Sequence, residues 1–237
     1  MQFFIDKINI SFDEFSLIFP KESEILKSHF EFKGSFLITK DKKVISLKYG
    51  DFNPIFINIA ETLSRHAVYF YKNSFYKDPL AKAIGLKKGK SKPRVLDATG
   101  GMLADSLLIY AYGVKSLVCY ERNPIIAVLG LNAINNSSVN IDYRYGEFLS
   151  EIDGAEFDVI YYDPMYQIKN TKTAAKKEME IFRDLVGVDE DIMDTAMGLK
   201  KLAKERLVIK RSNKAQPILE GQTHTIRGKS TSYDVYL

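Results

Sequence analysis

The sequence predicts an α/β fold: a mostly parallel, seven-stranded β-sheet with an antiparallel last strand, preceded by a small β-containing unit. Short apolar strands alternate with helix-like segments from RVLD to RLVIKR, which is typical of a parallel sheet covered by helices on both faces. The chain ends in two strand-like segments, THTIRG and TSYDVYL, with no room for a helix between them. A connection this short makes the last pair antiparallel.

Apolar periodicity and cap residues place the elements of this sheet. The helical spacing of MLADSLLIYAYG ends at Gly113, and Asn123 and Pro124 supply an N-cap and a first helical residue for PIIAVLGLNAINN. A further helix is predicted in TAAKKEMEIFRDLVG. Five strands are predicted in RVLD, SLVCYE, NIDYRYGEF, FDVIYYD and RLVIKR.

Residues 1–75 are predicted to form the small amino-terminal unit and residues 76–237 the main domain. FLITKDKKVISLKYG has two strand-like halves around polar residues 40–43, the pattern of a β-hairpin. KKGKSKP, before the first strand of the main domain, is a polar segment marked by Gly and Pro.

The composition predicts a globular, cytoplasmic protein without a metal site. The 237 residues are 46% hydrophobic, and a net charge of +4 with a pI near 8.8 allows an anionic partner such as nucleic acid. Cys119 is the single cysteine and the three histidines are spread along the chain, so neither a disulfide nor a zinc site is expected. The amino terminus lacks a signal-peptide pattern, and no apolar run is long enough to span a membrane.

Polar residues follow four of the predicted strands, at the edge of the sheet where ligands gather. They are Asp97 and Thr99 after the first strand, Glu121 after the second, Gly146 and Glu147 after the third, and Asp163 after the fourth. A ligand site is therefore expected at this edge.

Asp97, Gly101 and Glu121 together favour a nucleoside-containing cofactor. The glycines of DATGG allow a ligand to approach the backbone at a helix start. Glu121 follows Asp97 by 24 positions (121 − 97), which suits an acid that accepts two ribose hydroxyls. Residues 102–104 lack the glycine of a dinucleotide fingerprint, so a cofactor without a pyrophosphate fits better. Taken singly, DATGG could equally be an ordinary turn and Glu121 a solvated acid.

The stretch IYYDPMYQ is the most specific pattern in the chain. A carboxylate at Asp163 and the carbonyl of Pro164 can accept the two N–H hydrogens of an exocyclic base amine and orient its lone pair, and Tyr166 can stack on the base. A lone Asp-Pro is more often a simple turn. Its position after the fourth strand favours the functional interpretation.

Basic residues follow this stretch and the fifth strand. Around an RNA substrate they would neutralise phosphates, and alternatively they form solvated surface. They are Lys169, Lys172, Lys176, Lys177, Lys210 and Arg211.

The order of motifs resembles the ribosomal small-subunit methyltransferase J family. The resemblance covers roughly residues 35–237 and is carried by VLDATGGMLADSL, CYERNP, VIYYDPMYQIK, AAKKEMEIFRDLVG, LVIKR and SYDVYL. It implies a class I, Rossmann-like methyltransferase that uses S-adenosylmethionine (SAM) to methylate the exocyclic N2 of a guanine in 16S rRNA. The implied partner is small-subunit rRNA, free or in the small ribosomal subunit.

Carried over by position, the resemblance implies cofactor contacts at four places, to which the residues themselves add Asp97 and Gly101. The implied contacts are Ala104 and Asp105, Glu121 and Arg122, Glu147 and Phe148, and Asp163. The implied catalytic residues are Asp163, Pro164 and Tyr166, with Tyr in place of the family's usual Phe. The chain also departs from the family at Leu103 and Ala104, usually Gly and Arg, and at Glu147 and Phe148, usually two serines.

The sequence thus predicts a monomeric or weakly associating, metal-independent rRNA guanine-N2 methyltransferase. One alternative is a methyltransferase of another amine, such as adenine N6 in DNA, because DPMY is close to the DPPY pattern. A second is an RNA-binding protein that has lost cofactor binding, motivated by Leu103, Ala104 and Glu147. A nicotinamide-dependent enzyme is less favoured because the pyrophosphate glycines are absent.

Overall fold

The structure, a computed structural model, describes residues 1–27, 32, 34–51, 53–71, 75–151, 157–165 and 191–237. These residues form two β-sheets with helices packed against them. The helix predicted in TAAKKEMEIFRDLVG lies outside the described residues.

The first sheet has four strands in the order β2-β1-β3-β4. This part of the chain consists of β1 (Gln2–Ile5), β2 (Ile8–Ile10), α1 (Phe12–Ile18), α2 (Pro20–Leu26), β3 (Ser35–Ile38) and β4 (Ile45–Lys48). β3 and β4 pair antiparallel, so the predicted hairpin is present. The first two strands and the two short helices were not predicted from the sequence. The boundary at residue 75 stays a prediction.

The second sheet has seven strands in the order β10-β11-β9-β8-β5-β6-β7. The elements are α3 (Ile59–Tyr71), a 3-10 turn (Phe75–Lys77), α4 (Pro79–Ala83), β5 (Arg94–Asp97), α5 (Ala104–Ala111), β6 (Ser116–Glu121), α6 (Pro124–Asn135), β7 (Asp142–Tyr145), α7 (Phe148–Glu151), β8 (Val159–Tyr162), α8 (Ile192–Leu202), β9 (Arg206–Ser212), β10 (His224–Arg227) and β11 (Thr231–Tyr236). β11 runs antiparallel to both β9 and β10, and the remaining pairs are parallel. The predicted sheet is therefore confirmed.

Local sequence explains why these elements form where they do. All four residues of β8 are buried, as expected for a central parallel strand with helices on both faces. Asn123 caps α6 by accepting hydrogen bonds from the backbone N–H groups of Ile125 and Ile126, and Pro124 occupies the first helical position. Gly113, with φ of 73°, follows the end of α5.

The first sheet is joined to the main domain by the hairpin and α6. Asn132 on α6 is buried; its Oδ1 accepts a hydrogen bond from the backbone N–H of Ile45 (2.9 Å), and its Nδ2 donates to the carbonyl of Lys43 (3.0 Å). One continuous hydrophobic core includes residues of both parts, such as Phe36 and Leu129. The two parts are thus packed together and not merely linked in sequence.

The described residues include neither a helix suited to cross a membrane nor a cluster of metal ligands. No helix there combines the length and the apolar character needed to cross a membrane. In the same residues, no group of three or more His, Cys, Asp or Glu side chains is arranged to hold a metal ion.

Candidate active site

The carboxyl ends of β5 and β8 form the centre of the candidate active site. From β5 the chain continues outward through β6 to β7, and it returns to β8 on the other side of β5. The strand order therefore reverses between β5 and β8, and parallel sheets bind ligands at such points. Asp97 ends β5 and Asp163 directly follows β8, so the reversal brings these two predicted residues to the same edge.

A cleft of about 830 Å³, open at its mouth, lies at this edge. This volume includes open solvent at the mouth of the cleft. Six predicted site residues line it, namely Gly101, Glu121, Arg122, Glu147, Phe148 and Asp163. The other lining residues are Ala98, Thr99, Gly146, Leu149, Tyr162, Met165, Asp191, Thr195 and Leu199.

The turn between β5 and α5 forms the floor of the cleft and fits tightly against β6. The backbone N–H of Gly100 donates to the carbonyl of Tyr120 (2.7 Å), and a Cβ at Gly100 would lie 2.6 Å from Cys119 Sγ. Gly101 has φ of 50° and Leu103, which begins α5, has φ of 62°. Glycine is therefore required at position 100 by close packing, whereas Leu103 keeps a conformation that favours glycine because its side chain is fully buried.

Glu121 at the end of β6 is held in place by two backbone amides. Its Oε2 accepts a hydrogen bond from the N–H of Gly101 (2.7 Å), and its Oε1 accepts one from the N–H of Asn123 (2.6 Å). Burial raises the pKa of Glu121 above its ordinary value, and these amides oppose that shift. A carboxylate has about four lone-pair positions, so the two that remain can accept hydroxyl groups of a ligand in the cleft.

Asp97 lies behind the cleft and does not line it. Its carboxylate is 1% exposed and accepts hydrogen bonds from the backbone N–H of Thr99 (3.0 Å) and the hydroxyl of Ser106. Burial raises the pKa of Asp97 to about 7, although these hydrogen bonds lower it. In this structure Asp97 supports the turn, and its predicted contact with a cofactor stays a prediction.

Asp163 presents its carboxylate to the cleft from a fixed backbone. Its N–H donates to the hydroxyl of Thr99 (2.8 Å), which ties the end of β8 to the turn after β5. The side chain is 34% exposed, and one oxygen lies 2.8 Å from Lys210 Nζ. Burial raises the pKa of Asp163 to about 6, and the charge of Lys210 opposes this rise. Pro164 is buried and Met165 lines the cleft.

Lys210 on β9 connects Asp163 to a second carboxylate, that of Asp105 on α5. The Lys210 Nζ lies 2.6 Å from Asp105 Oδ2, which also accepts the hydroxyl hydrogen of the buried Tyr161 at 2.6 Å. Burial disfavours the charged form of Lys210, but the two carboxylates outweigh it and raise the pKa of Lys210. The lysine is therefore a permanent cation that fixes the orientation of Asp163.

Arg122 and Asp191 close one side of the cleft. Arg122 donates from one guanidinium nitrogen to both carboxylate oxygens of Asp191, at 3.2 and 3.4 Å. Asp191 precedes α8 and also accepts a hydrogen bond from the Thr195 hydroxyl (3.1 Å). This ion pair thus ties the start of α8 to the end of β6.

Of the remaining predicted cofactor contacts, Glu147 and Phe148 line the cleft, whereas Ala104 and Asp105 do not. Glu147 is exposed in the cleft lining, while Phe148 is buried and makes edge-to-face contacts with Tyr120 and Phe157. Ala104 is exposed at the start of α5 and is not part of the lining. The carboxylate of Asp105 is bound to Lys210 and Tyr161, and Asp105 does not line the cleft either.

The interpretation of Lys210 and Arg211 as phosphate contacts is wrong. Lys210 is held by Asp105 and Asp163. Arg211 is 8% exposed, pairs with Asp234 through two guanidinium nitrogens and donates to the carbonyl of Ala215 (2.7 Å). Successive side chains of a strand point to opposite faces of the sheet. Lys210 and Arg211 therefore pair with different internal carboxylates, one on each face.

Some predicted residues lie outside the described residues, and their roles stay predictions. They are Tyr166 and the lysines Lys169, Lys172, Lys176 and Lys177.

The sequence interpretation missed two contributions to the site. The first is α8, from which Thr195 and Leu199 reach the cleft together with the preceding Asp191. The second is the pairing of Lys210 with Asp163. A lysine directly after the buried apolar residues 207–209 indicates a carboxylate partner, although this pattern does not state which carboxylate it is.

Comparison with known protein families agrees with this geometry. A family model described as "Putative SAM-dependent methyltransferase" matches residues 25–237. Ribosomal RNA small subunit methyltransferase J of Thioalkalivibrio sulfidiphilus is 35% identical over 179 residues, which are 69% of this chain and 69% of that protein. The protein of the same name from Pseudomonas aeruginosa is 32% identical over 208 residues, or 82% of this chain and 78% of that protein.

A solved structure extends the agreement to the fold. The crystal structure of a SAM-dependent methyltransferase from Neisseria gonorrhoeae superposes with a TM-score of 0.62 at 20% identity, covering 91% of this chain and 90% of that one. At this identity the likeness concerns the fold alone. Together, the family model and the relatives show that this chain belongs to the ribosomal RNA small subunit methyltransferase J family of SAM-dependent methyltransferases.

Proposed function

We propose that this protein transfers a methyl group from SAM to the exocyclic N2 of a guanine in 16S rRNA. The observation that carries the proposal is the position of Asp163. Its carboxylate is exposed in the same cleft that Glu121 lines, at the point where the strand order reverses. A cofactor bound by Glu121 and an amine bound by Asp163 would therefore meet in one cleft.

The residues of the cleft suit SAM. Glu121 has acceptor positions left for two ribose hydroxyls, and the glycines of the turn allow close approach at Gly101. Leu149 and Met165 provide accessible apolar surface for a planar base. When bound, SAM supplies a methyl group on a sulfonium sulfur, which is already activated for attack.

Asp163 and Pro164 would hold the amine. The N2 lone pair of guanine is delocalised into the ring, so the nitrogen becomes nucleophilic when its hydrogens are drawn towards acceptors. The Asp163 carboxylate accepts one N–H and the Pro164 carbonyl the other, which directs the lone pair at the methyl carbon. SAM would supply its methyl group to N2 and leave as S-adenosylhomocysteine, and the Asp163 carboxylate would accept the proton that N2 releases.

The protonation state of Asp163 fits this role. With a pKa raised to about 6, the carboxylate is ionised at neutral pH and is more basic than an ordinary Asp. The neighbouring Lys210 keeps it ionised, so it can accept a hydrogen bond before the methyl group is transferred.

The test is transfer of labelled methyl from SAM to small ribosomal subunits that lack the modification, followed by mass analysis of the product nucleosides. We expect N2-methylguanosine at one site, and a rate at least about 100-fold lower for Asp163→Asn at saturating SAM. Glu205→Gln, an exposed acid before β9 and outside the cleft lining, is the matched control. Label on adenine would refute the base assignment, and wild-type turnover by Asp163→Asn would refute the mechanism.

Finer points of the proposal rest on the sequence and the relatives. The substrate is small-subunit rRNA, free or in the small ribosomal subunit, and the protein acts as a monomer in the cytoplasm. Size-exclusion chromatography with light scattering tests the monomeric state. A dimer at micromolar concentration would contradict it.

A further inference from the structure

A group of exposed cations lies at the same sheet edge as Asp163, and the mechanism above does not use it. The group consists of Lys214, which follows β9, and Arg227 and Lys229, at the turn between β10 and β11. We call these three residues the basic rim. In the described part of the chain, none of the three forms an ion pair.

Hydrogen bonds hold the two segments of the basic rim together. The side-chain amide of Asn213 donates to the carbonyls of Gly228 and Lys229, both at 3.2 Å, and the Asn213 N–H donates to the carbonyl of Ser230 (3.1 Å). Within the turn, Gly228 N–H donates to the Thr231 carbonyl at 2.7 Å. The three cations therefore occupy a defined place and are not on independent loops.

The strand register relates this place to Asp163. Lys210 of β9 lies opposite Tyr233 of β11, and Tyr233 lies opposite Ile226 of β10. Lys210 itself contacts Asp163, so these residues form one row across the edge of the sheet. Three strand spacings of about 4.8 Å each put β10 roughly 14 Å from β8. Arg227 follows Ile226 and continues towards the open edge.

The net charge of this region is positive once the internal ion pairs are subtracted. Residues 210–229 contain five Lys and Arg and one acid, Glu220. Lys210 is paired with two carboxylates, Asp163 and Asp105, which together leave one negative charge, and Arg211 is paired with Asp234. The three cations of the basic rim are therefore left against Glu220 and this one carboxylate charge. The local charge is thus positive beside a site for a nucleic-acid base.

We propose that the basic rim binds the phosphate backbone of the RNA strand that carries the target guanine. This inference rests on the proposed function and names the surface that guides the substrate to it. When a base is held by Asp163, phosphates a few nucleotides along the same RNA strand can reach β10. Lys and Arg there would bind these phosphates without reading the base sequence. The rim replaces Lys210 and Arg211 in the role that the sequence had suggested for them.

A second group of three lysines has the same charge but lies at the opposite edge of the sheet from Asp163. Lys87, Lys88 and Lys90 are exposed in the segment before β5, at the amino ends of the parallel strands. Asp163 lies at the carboxyl ends, so an RNA strand bound at the active site would not pass this group directly. These lysines therefore provide a matched control for a loss of three positive charges.

The experiment compares two triple variants, one with Lys214, Arg227 and Lys229 changed to Gln and one with Lys87, Lys88 and Lys90 changed to Gln. Binding of a 16S rRNA transcript is measured as a function of salt, and kcat and KM are measured with small subunits. For the rim variant we expect a Kd and KM at least about tenfold higher, and a slope of log Kd against log salt smaller by about 2. Its kcat and its affinity for S-adenosylhomocysteine should equal those of wild type.

Three outcomes would overturn the inference. They are an unchanged salt slope and KM in the rim variant, an equal effect in both variants, or an effect in the control variant alone. Each outcome is a comparison with wild type that methylates its substrate. Absence of methylation by wild type would instead show that the proposed function fails, so the two failures are distinguished. Circular dichroism of both variants excludes unfolding as the cause of a change.

Discussion

Lys210 and Asp163 form an ion pair across β9 and β8, with the lysine Nζ 2.8 Å from a carboxylate oxygen. The same nitrogen lies 2.6 Å from Asp105, so one lysine serves two carboxylates. Because the positive charge of Lys210 lowers the pKa of Asp163 while burial raises it, the lysine sets the pH at which Asp163 is able to accept a hydrogen bond from the substrate.

Lys210→Met should shift the acidic limb of the kcat–pH profile to higher pH. In wild type, protonation of Asp163 should lower kcat as pH falls through its raised pKa of about 6. Removing the lysine removes the positive charge that lowers this pKa, so the acidic limb should move to higher pH. At neutral pH we expect kcat to fall about 10- to 100-fold, because the carboxylate also loses its orientation.

Lys210→Arg is the control for this change, since it keeps the positive charge. It should leave the acidic limb near the wild-type pH even if kcat falls. Because Lys210 does not line the cleft, calorimetry should give both variants a near-normal affinity for S-adenosylhomocysteine. An acidic limb at the wild-type pH in Lys210→Met would show that the lysine does not control Asp163.

Glu121→Gln should weaken cofactor binding. The two oxygens of Glu121 accept from Gly101 and Asn123, and an amide NH2 in place of one oxygen would face an N–H donor. Loss of a hydrogen bond to a charged group costs about 1.5–3 kcal/mol, which corresponds to a Kd for S-adenosylhomocysteine about 10- to 100-fold higher. Calorimetry measures this directly.

The wild-type affinity should itself depend on pH. Burial raises the pKa of Glu121, so the affinity is expected to fall as pH is lowered towards that pKa, and Glu121→Gln should remove this dependence. Glu205→Gln, exposed and outside the cleft lining, should bind as wild type does. Equal affinities of wild type and Glu121→Gln would contradict a role for this acid in binding.

Gly100→Ala should destabilise the protein because there is no space for a Cβ. The added atom would lie 2.6 Å from Cys119 Sγ and 3.1 Å from the carbonyl oxygen of Tyr120. Cys119 is fully buried and the Tyr120 carbonyl is in a strand, so neither can move easily. Overpacking of this kind costs about 1–3 kcal/mol, measurable as a lower free energy of unfolding in urea.

Two further variants isolate the cause. Adding Cys119→Ala to Gly100→Ala removes the closest atom, so the double variant should be more stable than the sum of the single changes predicts. Gly113 has φ of 73°, and a Cβ added there would have no atom within 4 Å. Gly113→Ala should therefore lower the free energy of unfolding by about 1 kcal/mol through backbone strain alone. Strict additivity of Gly100→Ala and Cys119→Ala would rule out the steric explanation.

The sequence predicted the parts of the fold that depend on local pattern. The apolar strands, the Asn123 cap and the antiparallel end of the sheet follow from residues close together in the chain. The hairpin of β1 and β2 was missed because Lys7, with a positive φ of 71°, stands where such a turn normally has Gly after Asp6. The pattern that normally indicates such a turn is absent.

The site was predicted where it depends on strand ends and missed where it depends on pairing between distant residues. Glu121 and Asp163 each end a strand, and the sheet brings both to the cleft. Lys210 is separated by 105 residues from Asp105 and by 47 from Asp163. No local pattern states which of two neighbouring cations, Lys210 or Arg211, turns towards which carboxylate. Only the register of β8 and β9 decides it.

Asn132→Ala should loosen the amino-terminal sheet from the main domain. The buried side chain of Asn132 satisfies both the N–H of Ile45 and the carbonyl of Lys43, and its removal leaves the Ile45 N–H without this acceptor. An unsatisfied buried donor costs about 1–3 kcal/mol. The exposed Asn136, which donates to the same Lys43 carbonyl at 2.8 Å, is the control, and Asn136→Ala should cost less than about 0.5 kcal/mol.

Hydrogen exchange of Asn132→Ala also tests whether residues 1–75 behave as a unit. If this part opens on its own, exchange should accelerate in β3 and β4 while the amides of β5 and β8 keep their wild-type protection. The shared hydrophobic core opposes separate opening. The difference in exchange rate between β3 and β4 on one side and β5 and β8 on the other therefore measures how much the Asn132 contacts, rather than the core, hold the two parts together. Equal acceleration in all four strands would show that the chain unfolds as one cooperative unit and would contradict the predicted boundary at residue 75.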